Sequence, residues 1–399
     1  MKKSTKKHSK NTAAHTSKES TDPLKIGIVG DDTLDKTDGV EQYILTVGRW
    51  LTKQGHEVHY LVGETKRTDL PHLHSLAKNI KVRGNGNWLS IPLPANRSRI
   101  RRLLAHEKFD ILYVQMPYSP VMAGRIVAAA GDQTAVVGAF HILPHNKLAD
   151  WGTRALRVVV SRTIKRFDAL ISVSTAARAF AKRAFRIDTV FIPNTSPLGP
   201  FFAAKPFPRY KDELVVLFHG RLVERKGCGY FLAAIALLRQ QESWPINAQV
   251  LISGAGPLEA ELKKFVSDNE LDEVVTFLGY TSEADKPRYM ASSDVVVFPS
   301  TGGESFGIVL LEAMAASRGA VLAGNNPGYA SVMHPRPESL FDPTDTAAFA
   351  KTLLAHISDA RLRAKAHRWQ QEYVTQYDVP VVGKRLVALF REALHNRRG

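Results

Sequence analysis

Residues 299–315 read PSTGGESFGIVLLEAMA, and this stretch decides which kind of fold the chain adopts. An apolar strand pattern ends at Pro299, two glycines follow, and an apolar helical pattern begins near Gly307. A strand that enters a helix through a glycine-containing loop can bind phosphate, because the first helical N–H groups and the positive end of the helix dipole face the loop. The stretch therefore predicts a phosphate-binding loop in a parallel α/β sheet.

Similar alternations of apolar strands and amphipathic helices occur on both sides of this stretch. Near-continuous apolar strands are typical of a parallel sheet that helices cover on both faces. The first half opens with a predicted strand at 24–30, followed by a helix and a second strand within 39–63. Its further predicted strands are 110–116, 135–141, 169–174 and 190–194. In the second half the predicted strands are 213–220, 248–254, 274–279, 294–300 and 319–324, and the predicted helices are 227–241, 257–269, 283–292 and 306–317. The predicted fold class is α/β, with two Rossmann-like doubly wound domains that face a cleft.

The pattern also predicts where the chain divides. A proline-rich segment separates the two series of strands and indicates a linker. We predict a disordered basic tail at 1–22, an N-terminal Rossmann-like domain at 23–195, a linker at 196–212, a C-terminal Rossmann-like domain at 213–376, and a helix at 377–399 that returns to the N-terminal domain.

Charge is distributed unevenly along the 399 residues, whose formal net charge is +16. Residues 1–200 hold 31 Lys and Arg against 16 Asp and Glu, whereas residues 201–399 hold 23 against 22. The basic half predicts contact with a polyanion, either an anionic membrane surface or nucleic acid. A nucleic-acid partner is disfavoured because the basic half lacks interleaved aromatic residues and known binding motifs. The basic N-terminus resembles no signal peptide, and no apolar run is long enough to span a bilayer.

Several familiar site motifs do not occur in the sequence. There is no G-x-x-x-x-G-K-[ST], no G-x-G-x-x-G after the first strand, no Asp-x-Asp, no H-E-x-x-H and no Cys/His cluster, so we expect no dedicated metal site. Protein cations must then neutralise a phosphate, and Arg221 and Lys226 follow the first strand of the second half. Glu304 and Glu312, eight residues apart, are candidates for binding sugar hydroxyls.

Three motifs carry a family resemblance: E-S-F-G-I-V-L-L-E, the upstream G-R-L-V-E-R-K-G and a D-G-V loop near the N-terminus. In these motifs the sequence resembles the retaining nucleotide-sugar glycosyltransferases of family 4, which have the GT-B fold. The resemblance covers roughly residues 24 to 390 and implies that Glu304 lies at the donor hexose and Glu312 at the ribose. It implies that Arg221 and Lys226 hold the diphosphate. The resemblance also implies that the donor contacts backbone amides, which are those of Ser305, Phe306, Gly307 and Ile308.

The resemblance also assigns residues in the first half. Gly39 matches the second glycine of a Gly-Gly-Val loop at the donor, with Asp38 in place of the first. His141 matches an active-site histidine near the reacting hydroxyl. Asp35, Asn85 and Lys147 would join His141 in binding the acceptor.

These matches imply an enzyme that moves a hexose to a membrane lipid. They favour a bacterial branch of the family that transfers mannose from GDP-mannose to phosphatidylinositol, with no cofactor besides the donor, and a peripheral location on the cytoplasmic face of the plasma membrane. Two alternatives stay open: a glycosyltransferase with a soluble or different lipid acceptor, and a catalytically silent GT-B scaffold subunit.

One segment, residues 95–107, predicts how the chain meets the membrane. Ile100, Leu103 and Leu104 recur at helical spacing. The guanidinium-rich flank of this helix consists of Arg97, Arg99, Arg101 and Arg102. Under one interpretation, the arginines hold the helix on an anionic leaflet, helped by apolar contact if the stripe is free to insert. Under the other, the stripe packs on the domain and the arginines are merely solvated.

Overall fold

The computed structural model describes residues 22–35, 39–84, 87–93, 95–141 and 147–399. The predicted tail at 1–22 therefore lies almost wholly outside the described residues.

A seven-stranded parallel sheet forms the N-terminal half, in the order β3-β2-β1-β6-β7-β8-β9. Its strands are β1 (Lys25–Gly30), β2 (Glu57–Val62), β3 (Leu73–Ser75), β6 (Ile111–Val114), β7 (Ala135–Phe140), β8 (Ala169–Ser172) and β9 (Val190–Phe191). A separate antiparallel hairpin, β4 (Asn79–Gly84) and β5 (Asn87–Pro92), leads into the second helix. The helices are α1 (Gly39–Lys53), α2 (Arg97–Glu107), α3 (Met122–Ala128), α4 (Lys147–Ile164) and α5 (Thr175–Phe180).

A six-stranded parallel sheet forms the C-terminal half, in the order β12-β11-β10-β13-β14-β15. Its strands are β10 (Leu214–His219), β11 (Ala248–Ser253), β12 (Val275–Gly279), β13 (Val295–Phe298), β14 (Ala320–Gly324) and β15 (Leu340–Phe341). The helices are α6 (Gly199–Phe202), α7 (Cys228–Gln240), α8 (Glu259–Asp268), α9 (Lys286–Ala291), α10 (Ile308–Ala316), α11 (Pro327–Met333), α12 (Thr346–Ser358), α13 (Ala360–Tyr373) and α14 (Val379–Arg398).

Each sheet is buried on both faces, which explains its near-continuous apolar strands. In the N-terminal half, α1 and α14 cover one face, and Phe390 of α14 packs edge-on against Tyr113 of β6. Leu104 and Ile126 pack on the opposite face. The last helix therefore returns to the first sheet. The predicted α/β fold class, with two Rossmann-like doubly wound sheets, is confirmed.

The segment between the two sheets differs from a simple extended linker. It contains α6 and a 3-10 turn at Pro208–Tyr210, and Leu198, Phe201 and Tyr210 are buried in the core of the C-terminal half. These side chains pack because burial of apolar area offsets the entropy lost by ordering the chain.

Candidate functional site

The carboxyl ends of β10 and β13 bring the predicted donor residues together. Oε1 of Glu304, in the loop after β13, lies 2.7 Å from Nζ of Lys226, which follows β10. It also accepts hydrogen bonds from Arg225 at 2.8 Å and from the Ser300 hydroxyl at 3.2 Å. Burial alone would raise the pKa of Glu304, but Lys226 and Arg225 outweigh burial and lower it. Glu304 is therefore an ionised carboxylate inside a cationic pair.

Arg225 is a site residue that sequence reasoning missed. It lies in the short 3-10 turn Glu224–Lys226, next to the predicted Lys226. The basic dipeptide was visible in the sequence, but only the fold shows that both cations reach the same carboxylate. Arg221 lies exposed in the loop after β10, at the start of the same segment.

The loop that carries Glu304 has the backbone geometry predicted for close approach of a phosphate. Gly303 and Gly307 adopt φ angles of +76° and +103°, which are favourable for glycine and strained for other residues. Helix α10 begins at Ile308, two residues after the predicted start at 306, because Gly307 occupies the N-cap position. Phe306 turns away from solvent and packs on Tyr377, at 5.7 Å between ring centroids. A Cβ atom at Gly307 would strike Tyr329.

Glu312, one turn into α10, is held by a second cation. Its Oε2 lies 3.2 Å from Nζ of Lys286, and its Oε1 accepts a weak hydrogen bond of 3.4 Å from the Ser196 hydroxyl. Lys286 also pairs with Glu283 at 2.8 Å. Burial raises the pKa of Glu312, and Lys286 only partly offsets this effect. Glu304 and Glu312 therefore belong to two separate ion-paired clusters along one edge of the sheet.

A histidine at the end of β10, His219, is influenced by the lysines of both clusters and was also missed. Its Nδ1 is 2.9 Å from the Ser253 hydroxyl, which is hydrogen-bonded in turn to the Thr281 hydroxyl. Burial, followed by the charges of Lys286 and Lys226, lowers the pKa of His219 to about 3. Both His141 and His219 lie at the end of a predicted strand, but the family resemblance assigned a role only to His141.

In the N-terminal half, His141 follows β7 and is almost fully buried. Its Nε2 is 2.8 Å from Oε1 of Gln115, whose own Nε2 donates to the Tyr113 carbonyl at 3.3 Å. Because Gln115 donates elsewhere, its Oε1 must accept, so His141 carries its proton on Nε2. Burial lowers the pKa of His141 to about 3, and Tyr43 packs edge-on at 4.9 Å. His141 is a neutral imidazole that leaves Nδ1 as an acceptor.

The remaining predicted N-terminal residues are less completely placed. Gly39 begins α1, and a Cβ atom there would meet no atom within 4 Å. The Asp35 carboxylate accepts from the Thr65 hydroxyl at 2.6 Å and from the Lys66 amide at 3.0 Å, which ties it to the loop after β2. Asp38, Asn85 and the side chain of Lys147 lie outside the described residues.

Helix α2 resolves the two interpretations of its apolar stripe. Ile100 and Leu104 are buried and Leu103 is half-buried, so the stripe packs on the domain. The expectation that the stripe could insert into a bilayer is therefore wrong. The four arginines, Arg97, Arg99, Arg101 and Arg102, are all exposed. Asn96 caps the helix by accepting from the amides of Ser98 and Arg99.

The fold also assembles a histidine cluster that a linear motif search cannot find. Two groups of three side chains within ligand distance of one another share His59 in the first sheet: Glu57, His59 and His72, and His59, His74 and Glu107. The ring of His59 stacks on His72 at 4.4 Å and on His74 at 5.2 Å. Parallel rings do not direct their in-plane lone pairs to one point, and the Lys25 ammonium already bridges Glu57 and Glu107 at 2.9 and 2.6 Å. The cluster is therefore best described as a hydrogen-bonded stack with ion pairs.

Within the described part of the chain, no helix is both long and apolar enough to cross a membrane.

Two parallel sheets whose carboxyl ends carry paired cations, carboxylates and a glycine-containing helix N-terminus are the arrangement expected of a GT-B glycosyltransferase. Comparison with known families agrees. Residues 37–198 match the model described as Glycosyltransferase Family 4, and residues 202–372 match that of Glycosyl transferases group 1. The chain belongs to this glycosyltransferase family.

Curated relatives and solved structures extend the comparison. The chain is 31% identical over 377 residues to the phosphatidyl-myo-inositol mannosyltransferase of Mycolicibacterium smegmatis, covering 92% of this chain and 93% of that protein. It is 26% identical to a GDP-mannose-dependent alpha-(1-6)-phosphatidylinositol monomannoside mannosyltransferase of Mycobacterium tuberculosis, covering 76% of this chain and 81% of that protein. Sucrose-phosphate synthase from Thermosynechococcus elongatus has the same fold, with a TM-score of 0.72, 20% identity and coverage of 94% and 100%.

Proposed function

We propose that this protein transfers mannose from GDP-mannose to the head group of phosphatidylinositol, with retention of the anomeric configuration. The observation that carries the proposal is the ion-paired Glu304–Lys226 cluster beside the glycine-rich start of α10, in a chain 31% identical to a phosphatidylinositol mannosyltransferase. The activity named for that relative supports the lipid acceptor. The second relative's name supports GDP-mannose as the donor.

The donor half supplies the chemistry of the leaving group. As the bond between the hexose and the diphosphate breaks, negative charge grows on the β-phosphate. Lys226, Arg221 and the first amides of α10 stabilise that charge most strongly at the transition state. The proposal therefore needs no metal ion and no cofactor besides the nucleotide sugar.

Arg225 allows Lys226 to bind the donor without leaving the Glu304 carboxylate unpaired. Lys226 and Arg225 both donate to Glu304 before a donor binds. When Lys226 turns part of its donor capacity to a phosphate, Arg225 continues to neutralise the carboxylate, which would otherwise be costly to keep buried. Glu304 then stays ionised and can accept hydrogen bonds from hydroxyls of the hexose.

Retention requires the acceptor hydroxyl to approach on the face from which the phosphate departs. A neutral His141, with Nδ1 as acceptor, suits a hydroxyl-rich reacting centre because it adds no charge that competes with the departing phosphate. We assign Asp35, Asn85 and Lys147 to the acceptor side. The retaining outcome and these acceptor roles belong to the proposal.

The exposed arginines of α2 support attachment to an anionic membrane. Each cation near an anionic leaflet contributes about 1 kcal/mol, so four can hold a peripheral protein reversibly by electrostatics alone. Because the apolar stripe is packed, attachment should depend on charge and weaken with salt. We propose a peripheral location on the cytoplasmic face, where nucleotide sugars and anionic lipids meet.

A screen of donors and acceptors tests the proposal. The purified full-length protein is incubated with GDP-mannose, GDP-glucose, UDP-glucose or UDP-galactose, together with phosphatidylinositol vesicles, soluble inositol phosphate or extracted bacterial lipids. We expect a mannolipid from GDP-mannose and phosphatidylinositol. Transfer to soluble inositol phosphate alone would support a soluble acceptor, and absence of both transfer and donor hydrolysis would support a scaffold subunit.

A further inference from the structure

His219 occupies a distinct place at the carboxyl edge of the second sheet. It ends β10, and its Nδ1 is 2.9 Å from the hydroxyl of Ser253, which ends β11. The Ser253 hydroxyl bonds to the hydroxyl of Thr281, two residues beyond β12. Three adjacent strands thus contribute to one hydrogen-bonded chain, and this chain fixes the orientation of the imidazole ring.

The two ring nitrogens have different surroundings. Nδ1 is engaged by Ser253, whereas Nε2 makes no hydrogen bond with any residue that the structure describes. Burial and the nearby charges of Lys286 and Lys226 keep the ring neutral at physiological pH. The hydroxyls of Ser253 and Thr281 can rotate so that Ser253 donates to Nδ1. The neutral ring then carries its proton on Nε2.

The two lysines indicate which part of a donor would meet this N–H group. Lys226, assigned to the diphosphate, contacts Glu304, which is assigned to the hexose. Lys286 contacts Glu312, which is assigned to the ribose. His219 lies within electrostatic reach of both lysines. In a nucleotide sugar, the group between the ribose and the sugar-bearing phosphate is the α-phosphate.

We propose that His219 is a donor-binding residue whose Nε2–H donates a hydrogen bond to the α-phosphate of the nucleotide sugar. This inference rests on the proposed function, which assigns the two ends of the donor to Glu304 and Glu312. A neutral donor suits the position because a third cation between Lys226 and Lys286 would be repelled by both. A hydrogen bond to a charged acceptor is worth enough to change affinity about tenfold or more.

A series of three ligands tests the assignment. Guanosine has no phosphate, GMP adds the α-phosphate, and GDP adds the β-phosphate. Affinity of the full-length protein for each is measured by calorimetric or competition titration. His219→Phe removes both ring nitrogens while keeping an aromatic ring, and His219→Gln keeps an N–H group near the position of Nε2. His334→Phe, at an exposed position in the same half of the chain, is the matched control.

We expect His219→Phe to weaken GMP and GDP about tenfold and to leave guanosine unchanged. His219→Gln should recover most of the loss, and His334→Phe should bind like the wild type. A purely structural role would weaken guanosine equally. If His219→Phe binds GMP and GDP normally, or loses guanosine to the same extent, the inference is wrong.

The proposed function can fail separately from this inference. If the wild type binds the nucleotides of another base, the donor assignment is wrong, and the corresponding nucleoside, monophosphate and diphosphate then replace the guanine series. Loss confined to the phosphate-bearing ligands of that base would still support His219. If the wild type binds no nucleotide, both proposals fail. If circular dichroism shows that His219→Phe does not fold, His219→Gln is compared with Ser253→Ala instead. Ser253→Ala frees the imidazole ring and should lower the affinity of the phosphate-bearing ligands only.

Discussion

The basic groups of the two halves are arranged in opposite ways. In the C-terminal half, Lys226 and Lys286 are largely buried, and each is paired with a carboxylate at the mouth of the sheet. In the N-terminal half, the arginines of α2 stand exposed on a helix with no acidic residue in its first turn. Buried, paired cations suit one ligand of defined geometry, whereas exposed cations suit a diffuse anionic surface. Under the proposed function, the C-terminal half is the donor half and the N-terminal half is the membrane half.

The membrane half should give the largest effect. Changing Arg97, Arg99, Arg101 and Arg102 together to Ser removes about 4 kcal/mol of attraction to an anionic leaflet, or roughly 1000-fold in vesicle partitioning. Sedimentation with phosphatidylinositol vesicles measures the loss. Lipid mannosylation should fall with it, while GDP affinity stays unchanged because the donor site is in the other half.

The matched control for this variant changes arginines elsewhere on the N-terminal half, Arg178 and Arg183 to Ser. Vesicle binding that survives the quadruple change, or occurs equally on neutral vesicles, would show that α2 is not the docking surface. High salt should reproduce the quadruple variant by screening.

In the donor half, Lys226→Ala should lower turnover about 100-fold, because one donor to a developing anion contributes roughly 3 kcal/mol. Initial rates at saturating donor measure this effect. Lys263→Ala, an exposed lysine paired with Glu259 on α8, is the control and should retain full turnover. If Lys226→Ala has unchanged turnover, Lys226 does not bind the diphosphate.

Substitution of the two carboxylates should change different properties: GDP affinity for Glu312 and turnover for Glu304. Glu312→Gln should weaken GDP about tenfold, because its hydrogen bonds to the ribose become neutral. Glu304→Gln should bind GDP normally and lose turnover, since it acts at the hexose. Calorimetry with GDP separates them. Normal GDP binding by both variants would show that Glu312 is misassigned.

The smallest expected effect concerns how α2 is attached to its sheet. The Lys25 ammonium lowers the pKa of Glu107, in the last turn of α2, from 4.5 to about 2. A carboxyl whose pKa is lowered by folding contributes stability above its unfolded pKa and loses it as pH falls through the folded value. The melting temperature of the wild type should therefore fall more steeply between pH 5 and pH 2 than that of Glu107→Gln. Parallel curves would show that this ion pair does not stabilise the fold.

Much of the fold could be predicted from the sequence because buried parallel strands are continuous apolar runs. The runs around Ile28 and Val296 place β1 and β13 within a residue or two of their observed bounds. The short strand β3 and the hairpin of β4 and β5 were missed, since neither forms a long apolar run. The packing of Leu198 and Phe201 was also missed because it depends on the neighbouring C-terminal core.

The candidate site was predictable where its residues share one loop and less so where they meet across strands. Glu304 and Gly307 lie in one segment, whose pattern carried the family resemblance. His219, Ser253 and Thr281 form one chain of hydrogen bonds although they follow or end three strands that are far apart in sequence. The histidine stack at His59 has the same origin, because register between β2 and β3 creates it.

The chemical structure of the lipid product distinguishes retaining transfer of mannose to phosphatidylinositol from every alternative. The purified protein is given GDP-α-mannose and phosphatidylinositol vesicles, and the lipid product is examined by mass spectrometry and by the one-bond carbon–hydrogen coupling at the anomeric carbon. The account predicts one added hexose on the inositol ring in an α linkage. A β-linked mannose, or no mannolipid from protein that binds GDP and the vesicles, would contradict it.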